Sequence, residues 1–143
     1  MTEQTRAGST RTRLLDAAEE LLATVPYRSL SVRAVCAAAG TNPASVHYHF
    51  GSKEALVSAL LQDRFETVWA DPLDALEAHP RTVADIVAAI LDPLVALHAD
   101  PTTAPTVRVL AEFVIGSPGA RWSSRWFRLA QWTDLLIDTV DGL

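Results

Sequence analysis

One cysteine, Cys36, in 143 residues leaves no intramolecular disulfide framework to build on. The chain also lacks any run of about 18 apolar residues, so no segment reads as a membrane span. Its opening, MTEQTRAGSTRTR, has no apolar stretch of signal-peptide type, and a cytoplasmic protein is the expectation. There is no Gly-rich phosphate loop and no serine elbow, so nothing argues for an enzyme, and no cofactor is expected. Metal ligands are sparse as well. His47 and His49 stand at i and i+2, which do not share a helix face. The other histidines, His79 and His98, bring no cluster with them, and no metal site is expected. Cys36 lies among alanines and reads as a small buried hydrophobe.

Positive charge is also short. The net charge of −5 and a pI near 5.2 argue against a protein that coats nucleic acid non-specifically, which needs many cationic contacts. The charge is uneven, however. Through Glu66 there are seven Lys/Arg and seven Asp/Glu, and from Thr67 onward five against ten. A few well-placed basic groups on the neutral half remain compatible with a nucleic-acid partner.

What is abundant is apolar side chain, 49% of residues, and it recurs at helical rather than alternating spacing. Leu14, Leu15, Ala18, Leu21, Leu22 and Val25 form one face of a first helix, starting after Ser9 or Thr10 and stopped by Pro26. In LSVRAVCAAAG, Ser31 is an N-cap, Leu30 and Val35 make a hydrophobic staple, and Gly40 ends the helix in the left-handed conformation. Asn42 caps a short third helix from Pro43 to about Phe50. Gly51-Ser52 breaks the chain and restarts it as KEALVSALLQDRFETVWA, expected as one helix from Lys53 to Ala70. Asp71-Pro72 ends or kinks that helix, or else sits in the first turn of a renewed one. Three more helices are expected: Thr82 to His98 with a kink at Pro93, Ala104 to Ile115, and Arg121 to Val140. The fold class is all-α in two parts, residues 1–52 and 53–143.

A capped helix, a turn through AGTN and a second short helix is the pattern of a helix-turn-helix. Val46 and Phe50, four apart, are expected to face the core, leaving Pro43, Ala44, His47 and Tyr48 outward with Ser45 at the flank. Small residues at the N-terminal end permit close approach to a groove, as a recognition helix requires. Over residues 10–61, with LLDAAEELL, SVRAVCAAAG, YHF and SKEAL at these spacings, the chain resembles the tetracycline-repressor (TetR) family of bacterial transcription regulators. The resemblance implies an N-terminal three-helix DNA-binding domain. A connecting helix would join it to a helical ligand-binding and dimerisation domain, here shortened. Two features depart from the family. Many members carry tyrosine, a DNA-backbone contact, at the position of His47. Members also usually continue with two helices that complete a dimer's four-helix bundle, whereas this chain stops at Leu143; a truncated form is one expectation.

Carried over residue by residue, the resemblance implies DNA contacts from Ser31, Arg33, Thr41, Asn42, Pro43, Ala44, Ser45, His47, Tyr48, His49 and Lys53. Arg33 can reach a guanine edge or a phosphate, and Lys53 a phosphate that sets register. Solvated surface is the plain alternative for Arg33 and Lys53, and the cap alone accounts for Asn42. In the second part, Trp69, His98, Phe113, Trp122, Trp126 and Trp132 are candidates to line a pocket for an apolar or aromatic ligand, although aromatics at such spacing also make ordinary core. The functional expectation is a ligand-responsive repressor, acting as a homodimer on a palindromic operator in double-stranded DNA. Repression and activation are not separable from sequence. The alternative is a shortened interaction module that pairs with a full-length regulator.

Overall fold

The computed structural model describes residues 3–78, 82–116 and 129–142, and every regular element among them is helical. In chain order these are α1 (Glu3–Leu22), α2 (Val32–Ala38), α3 (Ser45–Phe50), α4 (Lys53–Phe65), α5 (Ala70–Ala78), α6 (Val83–Ala99), α7 (Ala104–Gly116) and α8 (Leu129–Asp141). A single 3-10 turn, Tyr27–Ser29, lies between α1 and α2. None of these helices is long and apolar enough to cross a membrane.

By packing, the chain forms two compact units: Met1–Leu61 with Pro105–Gly119, and Gln62–Ala104 with Ala120–Leu143. This division differs from the functional one drawn at residue 52. The first unit keeps α4 as far as Leu61, with Leu56, Val57, Leu60 and Leu61 buried, and it takes in α7 through Val109, Leu110 and Phe113. Its remaining core is Leu14, Leu15, Ala17, Ala18 and Leu22 from α1, with Tyr27, Leu30, Val35, Cys36, Ala39 and Val46. Leu30 and Val35, the expected staple, are among them. Fully burying one such aliphatic side chain contributes about 1.5–3 kcal/mol, so the small helices are held by this shared core rather than by their length.

Boundaries follow local chemistry at most points. The first helix begins earlier than expected, at Glu3, and ends at Leu22, four residues before Pro26. The Thr24 hydroxyl donates to the Leu21 carbonyl there. The expected single helix from Lys53 to Ala70 is two helices. It stops at Phe65, and i,i+3 bonds from Val68 to Phe65 and from Ala70 to Thr67 tighten the link. Thr67 and Val68 are β-branched and favour helix weakly. In the second unit Trp69 is buried, and its indole N–H donates to the Ile90 carbonyl at 3.0 Å. Pro72 therefore stands in the first turn of α5, where its missing N–H costs nothing. In α6, Thr82 and Asp85 form a complete capping box, and Pro93 lies inside the helix. There α5 and α8 both pack on α6, with Leu73, Ile86, Trp132 and Leu135 buried. The expected helix from Arg121 is described only from Leu129.

Candidate nucleic-acid interface

The helix-turn-helix is built by bonds that each residue type makes locally. Ser31, in extended conformation, caps α2 by accepting the Ala34 N–H at 3.4 Å. At the other end Gly40 takes φ 61°. Gly40 N–H donates to the Ala37 carbonyl and Thr41 N–H to the Cys36 carbonyl at 2.9 Å, the paired bonds of a Schellman ending. The Thr41 hydroxyl donates to the same Cys36 carbonyl. Cys36 is buried, and its thiol donates to the Pro43 carbonyl, which fastens the turn to α2.

The recognition helix starts two residues later than its sequence proposes. Asn42 caps in kind: its Oδ1 accepts the Ala44 N–H at 2.8 Å. Its carbonyl also accepts the Ser45 N–H at 2.9 Å, so Asn42 to Ser45 forms a turn with proline second, a position its fixed φ suits. The helix itself is Ser45–Phe50 with Ala44 as its cap residue. Gly51 ends it at φ 86°, a conformation that suits glycine alone, and Ser52 then caps α4 by accepting the Ala55 N–H at 3.0 Å.

Val46 is the internal anchor of α3, 1% exposed, as its spacing requires. Phe50 is only half-buried and carries the Arg11 guanidinium 5.1 Å from its ring centroid, so it is a flank rather than core. Tyr48 is 83% exposed, standing edge-on to the His49 ring. Arg33, Asn42, Pro43, Ala44 and His47 are exposed, and Thr41, Ser45 and His49 half-buried. Hence α2, the turn and α3 present the candidate contacts together on one helix-turn-helix.

Two candidates have internal partners. His47 Nδ1 lies 2.9 Å from the Gly51 carbonyl, so it must carry the proton and donate. In the neutral ring Nε2 is then an acceptor, which opposes a phosphate; only the doubly protonated ring donates outward. Lys53 is half-buried, with its ammonium 4.9 Å from the Tyr27 ring centroid and 3.4 Å from the carbonyls of both Tyr27 and Arg28.

One electrostatic signal was missed in the sequence reading. No Asp or Glu occurs between Glu20 and Glu54, a stretch that carries Arg28, Arg33, Lys53, His47 and His49. An acidic chain thus keeps its helix-turn-helix free of the charges that would repel a polyanion. Arg28 and Arg11 were also missed as neighbours of the site, because both are brought there by folding.

The second set of candidates is dispersed. Trp69 and Trp132 are buried and His98 is exposed in the second unit, while Phe113 belongs to the first, edge-on to Tyr27 at 5.2 Å. Trp122 and Trp126 lie outside the described residues. Within the second unit an open groove of about 430 Å³ runs between α5 and α6, lined by Pro72, Leu76, Ala88, Ala89 and the carboxylates of Asp85 and Asp92. None of the expected aromatic residues lines it.

Comparison with known proteins agrees with this geometry. Residues 14–60 match the family described as bacterial regulatory proteins, tetR family. The HTH-type transcriptional regulator UidR of Escherichia coli (strain K12) is 34% identical over 87 residues, covering 59% of this chain and 44% of that protein. The UidR of Shigella flexneri matches to the same extent. The chain thus spans less than half the length of these relatives. Residues 14–60, which carry the capped α2, the glycine turn and α3, are thus the part of this chain that is similar to the tetR family of bacterial regulatory proteins.

Proposed function

We propose that the chain is a sequence-specific DNA-binding transcriptional regulator, a repressor released from its operator by a small molecule. One observation carries the reading: a short α3, ended by Gly51, that buries Val46 while presenting Tyr48 almost wholly to solvent, in a stretch without acidic residues. An uncovered aromatic of that size on a helix anchored by Val46 has a partner outside the protein as its simplest use. In this reading α3 enters the major groove with Pro43, Ala44 and Ser45 close to the base edges and Tyr48 beyond them. Arg33 and the N–H of Ser31 take phosphate or guanine, Thr41 and Asn42 flank the groove, and His49 and Lys53 border the backbone. The working form is a homodimer in the cytoplasm. Its two α3 helices sit roughly 34–36 Å apart in successive major grooves of a palindromic operator. An effector held by the second unit acts by favouring a different spacing. The protein is read as a binder, and no reaction is assigned to it.

A second reading has its own support. Val87, Leu91 and Val95 recur every four residues along α6 and are 43%, 49% and 66% exposed. Such a stripe suits association with another polypeptide, as in a module that pairs with a longer regulator. Electrophoretic mobility shift of the chain's own upstream DNA, beside its mass by light scattering, tests both. Binding by a dimer supports the first reading; a chain that binds only when mixed with a longer relative supports the second.

A further inference from the structure

The link between α1 and α2 is held at its start and in its middle by two side chains from far along the sequence. Arg108, on α7, donates through Nη2 to the carbonyl of Leu22, the last residue of α1, at 2.7 Å. Glu112, one turn later, accepts the Tyr27 N–H on Oε2 at 2.8 Å, and its Oε1 accepts from Arg108 Nη1 at 3.1 Å. Tyr27 opens the 3-10 turn behind Pro26, which offers no side-chain cap. The first N–H groups of a helical turn need an acceptor, and Glu112 supplies one from outside, with the negative charge such an end favours.

The same turn carries the DNA-facing groups. It runs through Arg28 to Leu30 and Ser31, the cap of α2, two residues before Arg33. Its carbonyls at Tyr27 and Arg28 hold the Lys53 ammonium, and the Tyr27 ring lies between Lys53 and Phe113. Arg108 and Glu112 remain partly open to solvent, at 42% and 31% side-chain exposure. Their ion pair alone therefore adds little to stability; their distinctive contacts are to these two backbone groups.

We propose that Glu112 is a positioning residue for DNA binding: by capping the Tyr27 N–H it fixes the 3-10 turn, and through the turn the placement of Lys53 and the start of α2. This rests on the DNA-binding reading above. Glu112 lies on α7, where the chain returns from the second unit to the first, so this bond ties the turn to that helix.

The test uses Glu112→Ala and Glu112→Gln in the whole chain, with the duplex upstream of its own gene as probe, across a salt series. Amide hydrogen exchange at Tyr27 is followed in the same samples. Glu112→Ala is expected to weaken binding about tenfold, the scale of one lost charge-assisted hydrogen bond. The slope of affinity against salt should stay unchanged, since no phosphate contact is removed. Glu112→Gln, whose amide oxygen still accepts the Tyr27 N–H, should restore affinity and Tyr27 protection. Wild-type affinity in Glu112→Ala, or equal losses in both variants with a shallower slope, overturns the proposal. Should Glu112→Ala fail to fold, Arg108→Ala carries the test: a smaller loss at constant slope supports the clamp, and no loss counts against it. If the wild-type chain itself binds no DNA, the DNA reading fails on its own. Tyr27 protection then decides whether Glu112 holds the turn, and protection unchanged in Glu112→Ala sinks that too.

Discussion

Val46 and Tyr48 stand two residues apart on α3 and are treated oppositely by the fold, at 1% and 83% exposure. Alanine at each position therefore separates holding the recognition helix from using it. Val46→Ala removes two methyl groups from a closed site, about 0.8 kcal/mol each in transfer terms plus a cavity contribution, so about 2 kcal/mol. For a unit of this size that is a melting-temperature fall of about 10 °C. Tyr48→Ala removes a side chain that buries almost nothing and substitutes a better helix former, so stability should stay within about 0.5 kcal/mol. Binding should respond in reverse. Tyr48→Ala is expected to lose about tenfold in DNA affinity, about 1.4 kcal/mol, at unchanged helicity. Thermal melts by circular dichroism and fluorescence anisotropy on a labelled duplex measure both sides. A melting-temperature fall for Tyr48→Ala as large as that for Val46→Ala would refute the reasoning, because the ring would then be structural. Undiminished DNA affinity in a folded Tyr48→Ala would refute it from the other side.

Gly51→Ala meets no atom within 4 Å, so its whole effect is the left-handed φ of 86°. A loss of about 1–2 kcal/mol is expected in a denaturant melt, and none if the backbone relaxes freely. His47→Tyr replaces a ring whose Nδ1 is committed to the Gly51 carbonyl with a longer side chain whose hydroxyl can donate outward. Affinity for the upstream duplex should rise severalfold, and a fall would place His47 away from phosphate. Asp85 is held below the ordinary carboxylate value of 3.8, first by the Thr82 N–H and then by the Thr82 hydroxyl. Its stabilisation of the α6 start is complete above that value and is lost as pH falls from there through the lower folded value. Asp85→Asn should therefore lower the melting temperature by a few degrees and flatten the acid limb of a pH–stability curve, whereas Thr82→Ala, which keeps the backbone bond, should flatten it only in part. The similar dependence from Asp100, lowered by Thr102, should persist.

The parts of this fold that a reader of the sequence can find are those written in neighbouring residues. Ser31, Gly40, Asn42, Gly51 and Ser52 each act within four positions of themselves, and they punctuate the helix-turn-helix nearly where their chemistry places them. The two-residue error at the start of α3 has the same origin. Asn42 and Pro43 form a turn as readily as a helix start, and the alternative bond from Ser45 decides between them. The break after Phe65 has no glycine or proline to announce it. It is accompanied by Trp69 reaching the Ile90 carbonyl, a contact across 21 positions. The packing of α7 with the first unit is less legible still, since Glu112 and Tyr27 are separated by 85 positions and neither type marks the other. Within the site, outward placement of Tyr48 followed from spacing alone, whereas the commitments of His47 to Gly51 and of Lys53 to the Tyr27 turn did not. Both bonds go to backbone carbonyls, which every residue carries.

The most direct test of the central claim is the affinity of the purified chain for its own upstream duplex, measured from low to physiological salt together with its mass in solution. The account predicts specific binding by a dimer. Affinity should fall linearly on logarithmic axes as counterions are released, and Tyr48→Ala should weaken it at unchanged helicity. A folded chain that binds this duplex no better than unrelated DNA at any salt would contradict the account.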